Sequence, residues 1–165
     1  MIWRMSHRCD PAARVLADRH YNRQSIGAPN FVPPGRCLVF VAGAPVKAFW
    51  VSSWPIAEYT HHAWAGAWMC TAFRNEGAGL SSDLIRQAVA ATRAIWGNPP
   101  PLGMVSFVDR TKVKAGRPGH CYHKAGFKTV GETKVNRLVA LQLLPDAMPL
   151  PEYPFGASIR LFGAA

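Results

Sequence analysis

Apolar residues recur along this chain with two periods, and the points where the period changes divide it into elements. Short apolar or alternating runs bounded by Gly and Pro mark strands, and recurrence every three to four residues marks helices. The opening "MIWRMSH" can form a first strand. "DPAARVLADRHYNR" then offers Asp10 as an N-cap and Pro11 in the first turn, with Ala12, Val15, Leu16 and Arg19 or His20 at helical spacing. This predicts a helix from Pro11 to Asn22. "QSIGAPNFVPPG" is punctuated by Gly and Pro, which predicts an irregular surface loop of the kind that often touches substrate.

"RCLVFVAG" and "PVKAFWVSSW" read as an antiparallel hairpin turning at Gly43 and Ala44, and "HAWAGAWMCTAF" continues them into a meander. From Leu80 the positions Leu84, Ile85, Ala88, Val89, Thr92, Ile95 and Trp96 keep helical spacing until Gly97 and "NPPP" stop the helix. "LGMVSFVD" is a nearly continuous apolar strand, the pattern of burial on both faces. A basic loop, a short helix in "GHCYHKAGF" and closing strands in "KTVGET" and "RLVALQLL" follow. The order of strands and helices predicts a mixed α/β sandwich in a single domain over residues 1–145. A Pro-rich tail, 146–165, is expected to lie extended on its surface.

Composition narrows the class. With 165 residues, 49% hydrophobic and 17% charged, the chain has material for one core. No stretch approaches the roughly 18 to 20 apolar residues of a membrane span, and the start lacks a secretory h-region, so a cytoplasmic protein with no membrane partner is expected. Cys9, Cys37, Cys70 and Cys121 form no C-x-x-C pair and have no zinc-type spacing with His, which reads as free thiols. The net charge of +10 attracts polyanions: nucleic acid, an anionic membrane or a phosphorylated cofactor. The basic residues are spread along the chain, so the sequence does not define a patch. It fixes no oligomeric state either.

The chemistry centres on "FRNEGAGLSS", residues 73–82, between a strand and an amphipathic helix. The first amides of a helix lack internal partners and sit at the positive end of its dipole, so they bind phosphate oxygens, and glycines allow close backbone approach. The motif is no Rossmann fingerprint, lacking the third glycine and the later acidic residue, and no Walker loop, lacking Gly-Lys-Ser/Thr. It resembles the R/Q-x-x-G-x-G/A pyrophosphate loop of the GNAT N-acetyltransferase superfamily. Further on, "CYHKAGF" is similar to that superfamily's Tyr-x-x-x-Gly-Phe signature, with Tyr122, Gly126 and Phe127 in place. The likeness covers about residues 37 to 144.

The resemblance implies an α/β fold with a mixed sheet of about seven strands, splayed between the fourth and fifth, and helices on both faces. It implies acetyl-CoA or a related acyl-CoA as donor, with the pantetheine arm along the edge of Met69, Cys70, Thr71, Ala72 and Phe73. Arg74, Gly77, Ala78, Gly79 and Leu80 would surround the pyrophosphate. Tyr122 stands at the position of the tyrosine that protonates the leaving thiolate. The superfamily shares no single general base; Asp109, at the end of the fifth strand, and His20 are the candidates, with Glu58, His61 and His62 as alternatives. Arg19, Tyr21 and Arg23 border the acceptor side, and Arg110, Lys112, Lys114 and Arg117 form a basic loop that could bind the 3′-phosphate of CoA or a nucleic-acid backbone. Trp50, Trp54, Trp64 and Trp68 are core or cleft lining, one of which could stack a base.

The "RHY" and "FVD" neighbourhoods and the small basic format carry a lesser resemblance to phage Mom-type proteins, which modify adenine in DNA. That likeness implies a nucleic-acid acceptor. If the transferred group were joined through carbon, ordinary aminolysis would not account for it and a metal becomes an option, although the sequence indicates none. The other functions left open are a conventional acetyltransferase for a small-molecule, protein or aminoacyl-tRNA amine, and a nonenzymatic nucleic-acid-binding module on the same scaffold.

Overall fold

The computed structural model describes residues 1–113 and 117–157. Seven strands form one sheet in the order β1-β2-β3-β4-β5-β7-β6. They are β1 (Arg4–Met5), β2 (Arg36–Ala42), β3 (Ala48–Trp54), β4 (Trp68–Asn75), β5 (Met104–Val108), β6 (Lys128–Glu132) and β7 (Val139–Leu143). The helices are α1 (Pro11–Asp18), α2 (Ser81–Trp96) and α3 (His120–Lys124). Every strand pair is antiparallel except β4 with β5, which is parallel because α2 crosses between them.

Alternation along the strands divides the core between the two faces of the sheet. In β2, Leu38, Phe40 and Ala42 join one cluster with Trp50, Trp68, Leu84, Ile85, Val89 and Leu141, under α2 and α3. Val39 and Val41 point the other way and meet Ala13, Leu16 and Ala17 of α1 with Phe31, Val32 and Phe49. The opposite face of β3 is tied to α2 by polar groups: Trp50 Nε1 donates to Ser52 Oγ at 2.7 Å, and Ser52 Oγ lies 2.6 Å from Thr92 Oγ1.

α1 ends at Asp18, earlier than its sequence period suggests. Arg23 folds back to pair with Asp18 at 2.8 Å and donates to the carbonyls of Ala28 (2.7 Å) and Asn30 (3.2 Å). This side-chain spool winds residues 19–30 into a compact loop and carries His20 and Asn22 back towards β4. The described part of the Pro-rich tail, to Ala157, follows a single 3-10 turn at Pro145–Ala147 and is anchored by its backbone: Phe155 N–H donates to Trp3 O at 3.0 Å, and Met5 N–H donates to Phe155 O at 2.8 Å. No helix among the described residues is long and apolar enough to cross a membrane.

Candidate active site

β4 and β5 are in register only at Trp68↔Met104, Met69↔Val105 and Cys70↔Ser106. Beyond that last pair β4 continues to Asn75 against β3 alone. A bulge at Thr71 marks the separation, since Val51 faces Ala72 while the next residue, Ser52, faces Cys70. The sheet therefore opens into a wedge whose β4 side is an unpaired strand edge. The expected edge of Met69–Phe73 is shorter in the structure: Met69 and Cys70 already face β5, so only Thr71, Ala72 and Phe73 line the opening. The Thr71 carbonyl is met at 3.0 Å by the side-chain amide of Asn22.

At one end of this edge lies the start of α2. Asn75 builds the glycine loop: its Oδ1 accepts from the amides of Gly77 (3.1 Å) and Ala78 (2.9 Å), and its Nδ2 donates to Gly79 O (2.8 Å) and Ser81 Oγ (2.9 Å). Gly77, at φ +102°, takes a backbone that side-chain-bearing residues avoid. The helix has no side-chain cap at Leu80. Among the described residues, the amides of Gly79, Leu80, Ser81 and Ser82 meet no acceptor, which leaves a cluster of donors at the positive end of a 16-residue helix. Gly79 and Leu80 thus present free amides, whereas the amides of Gly77 and Ala78 are already satisfied.

Arg74 departs from its expected place. Consecutive strand residues point to opposite faces; Asn75 reaches α2, so Arg74 reaches the end of α1, donating to Glu76 Oε1 at 2.6 Å and to the Arg19 carbonyl at 2.9 Å. Its guanidinium lies off the cradle. Glu76 also takes two hydrogen bonds from Arg19, at 2.9 and 2.6 Å, and the two arginines hold its carboxyl at about 2.

At the other end of the wedge stands Tyr122. The Gly-Phe part of its signature is a helix stop of the Schellman type: Gly126, at φ +101°, lets Phe127 N–H reach Tyr122 O and Gly126 N–H reach His123 O, both at 3.0 Å. The Tyr122 and Phe127 rings then meet edge to face at 5.4 Å. This stop fixes the tyrosine, whose hydroxyl lies 3.3 Å from Cys70 Sγ, beside the last pair that holds β4 to β5. Burial is the main cause that keeps the phenol protonated well above its ordinary range, with the neighbouring Cys70 adding to it.

On the α1 face, a cavity of about 580 Å³ opens against Thr71 and Ala72 of the wedge. Its floor is Ala17, Phe31, Val32 and Phe49, and its polar wall is His20, Asn22, Arg23, Gln24, Ser25 and Asn30, with no carboxylate in the lining. His20 Nδ1 accepts from Asn22 N–H at 3.3 Å, and burial pushes the imidazole below its usual range, so it is neutral near pH 7. Its ring stacks on Tyr21 at 4.7 Å. The Tyr21 hydroxyl spans to the Asp109 amide at 3.4 Å, bridging the α1 side to the end of β5.

Asp109 ends β5 as expected, but its Oδ1 accepts from Thr111 N–H at 2.9 Å and Thr111 Oγ1 at 2.6 Å, and these bonds lower its pKa. A turn-forming carboxylate with a lowered pKa is a weak base. Arg19 is tied to Glu76, Arg23 is a loop support lining the cavity, and Arg110 pairs with Glu132. Lys112 and Arg117 are exposed, and Lys114 lies outside the described residues. Glu58 and His61 are exposed, whereas His62 turns inward, its Nδ1 accepting from Trp64 N–H at 3.1 Å and its ring packing on Phe107 at 4.9 Å. Trp50 and Trp68 are fully buried, Trp54 lies under the Arg36 guanidinium, and Trp64 packs on Phe107. Among the described residues no three His, Cys, Asp or Glu side chains gather as a metal site. Asn22 and Asn75 carry no signal in the sequence that sets them apart from other loop asparagines; only their register against Thr71 and Gly77 reveals them.

This splayed sheet, with a helix starting at the glycine loop and a tyrosine at the point of separation, is the GNAT acetyltransferase fold. The structure is similar, with a TM-score of 0.62 over 88% of this chain and 95% of the other, to an aminoglycoside acetyltransferase, AAC(6')-Ib, solved in complex with coenzyme A and kanamycin. The two sequences are 16% identical. No protein-family model matches the chain, and no curated protein matches it in sequence. None of these comparisons bears on the Mom-type likeness.

Proposed function

We propose that the protein is an acyl-CoA-dependent N-acyltransferase that passes the acyl group directly to an uncharged amine on an anionic acceptor, with the exocyclic amine of a nucleic-acid base favoured. The observation that carries the donor half is the unpaired edge of β4, set between the free amides of Gly79–Ser82 and the Tyr122 hydroxyl. An acyl-CoA thioester supplies the activated carbonyl. The helix start offers charge-assisted hydrogen bonds to a diphosphate, the strand edge beyond the Thr71 carbonyl, which Asn22 occupies, offers an amide-binding track, and Tyr122 holds a proton at the end of that track. The solved acetyltransferase with coenzyme A bound has the same fold, which supports this reading.

The acceptor half rests on the cavity. An alkylammonium substrate needs a carboxylate to attract it and a free base to deprotonate it before attack. Here no carboxylate lines the cavity, Asp109 is engaged by Thr111, and the His20 Nδ1 lone pair already accepts from Asn22 N–H. An aromatic amine carries no proton to remove before it attacks, so this wall suits it. The chain's +10 charge favours acceptors bearing phosphates. DNA adenine modification of the Mom type is the finest form of this reading.

A second reading, a neutral small-molecule amine, is supported by the cavity's size, which lies within the range of small-ligand sites. A purely binding role leaves unexplained why a buried phenol is held at the point where the strands part. The test is incubation with acetyl-CoA and DNA, digestion to nucleosides and mass spectrometry, for wild type and Tyr122→Phe. A new nucleoside mass from wild type alone supports the proposal. Unchanged DNA beside an acylated small amine moves the acceptor to the second reading, and no release of CoA thiol with any amine ends both.

A further inference from the structure

The pair at which β4 and β5 part also holds the phenol. Cys70 and Ser106 face each other in the last register pair, and the Tyr122 hydroxyl lies 3.3 Å from Cys70 Sγ. Phe73 and Phe127 flank the ring edge-on, at 6.5 and 5.4 Å between centroids, and offer no competing acceptor. Cys70 is 5% exposed, and burial pushes its thiol up to about 12, so it stays a neutral S–H and is no nucleophile. What remains for it is its role as a hydrogen-bond partner.

We propose that Cys70 is a positioning residue for acyl transfer: its S–H donates to the Tyr122 oxygen and so leaves the phenol O–H free to point to the mouth of the wedge before a leaving thiolate arrives there. This rests on the transferase reading. In the transfer the N–C bond forms as the thioester C–S bond breaks. The sulfur electron pair takes the Tyr122 proton, the amine loses its proton to water, and water reprotonates the phenolate. While the phenolate exists, Cys70 S–H donates to it. The titratable groups facing Tyr122 are Cys70 from β4 and Cys121 from α3; β5 contributes the uncharged Ser106. An apolar residue at position 70 fills similar space but leaves the hydroxyl without a sulfur to orient it.

The test compares Cys70→Ala with Cys70→Ser, the second keeping a donor and acceptor in place. Two readouts are taken: kcat and KM for acetyl-CoA, and the tyrosine ring-carbon NMR titration of Tyr122, assigned with Tyr122→Phe and needing no turnover. The expected result is that Cys70→Ala lowers kcat about tenfold with KM unchanged, displaces the basic limb of the pH profile and moves the Tyr122 titration, while Cys70→Ser restores most of each. A Tyr122 titration unmoved in Cys70→Ala, or a kcat equal to wild type, overturns the proposal. If wild type transfers no acyl group, a Tyr122 titration that moves in Cys70→Ala and recovers in Cys70→Ser still supports the positioning role, and the transferase reading alone fails.

Discussion

Arg19 and Glu76 join the two sides of the site. The guanidinium at the end of α1 makes two hydrogen bonds, at 2.9 and 2.6 Å, to a carboxylate in the glycine loop before α2. The helix beside the cavity against Thr71 and Ala72 is thereby tied to the loop that presents free amides at the start of α2, and Arg74 closes the same carboxylate from β4 at 2.6 Å. Nothing else in the glycine loop carries a charge.

That junction has a pH signature. The two arginines hold Glu76 at about 2, below its ordinary 4.5. A carboxyl that is harder to protonate when folded contributes its full stability above about pH 4.5 and loses it as pH falls through about 2. Glu76→Gln is therefore expected to melt below wild type at pH 7 by a small margin, as surface ion pairs are weak. The margin should close as the two proteins are melted at successively lower pH towards 2. A margin that does not change with pH contradicts the assignment.

The helix stop after Tyr122 gives a second prediction. Gly126→Ala places a side chain at φ +101° and its Cβ 3.4 Å from Leu143 Cδ1. Thermal and urea unfolding should register a loss of about 1–2 kcal/mol. Transfer activity should fall further than this loss explains, because the Phe127-to-Tyr122 hydrogen bond that sets the phenol is disturbed as well.

Tyr122→Phe keeps the ring packing and removes the proton. Steady-state kinetics should give a kcat lower by about 10² or more, with acetyl-CoA affinity unchanged, since the strand edge and the helix amides are untouched. A fall in affinity with kcat intact would assign Tyr122 to packing alone.

His20 should titrate below the ordinary histidine value of 6.5, because burial disfavours its charged form. NMR titration of the imidazole checks this directly. As the unfolded chain takes up that proton first, His20 lowers stability as pH falls below 6.5, and His20→Gln should flatten that part of the stability profile.

Much of this arrangement was legible in the sequence, and the reasons are local. The pattern of apolar residues placed the seven strands and three α-helices, although it ran α1 on to Asn22 and gave no sign of the 3-10 turns at Ala57–Tyr59 and Pro145–Ala147; Tyr122, Gly126 and Phe127 form a helix stop whose chemistry is contained in adjacent residues. The free amides of Gly79 and Leu80 could be anticipated because helix starts leave amides unpaired in any context. What the sequence concealed depends on register and on long-range partners. The bulge at Thr71 decides that Met69 and Cys70 stay paired with β5, and strand alternation turns Arg74 towards α1 and away from the cradle. Arg23 reads as a surface charge until its contacts with Asp18, Ala28 and Asn30 show it holding the loop. Asp109 reads as a base until Thr111 occupies it.

The most direct measurement is a calorimetric titration of acetyl-CoA into wild type and Gly77→Val. Open space surrounds Gly77, so valine disturbs the loop only through a backbone angle, φ +102°, that it cannot hold. Saturable binding to wild type, weakened at least about tenfold in Gly77→Val with the fold intact, is the result expected for a donor seated on the amides at the start of α2. Absence of binding to wild type, or equal affinity for both proteins, would contradict it.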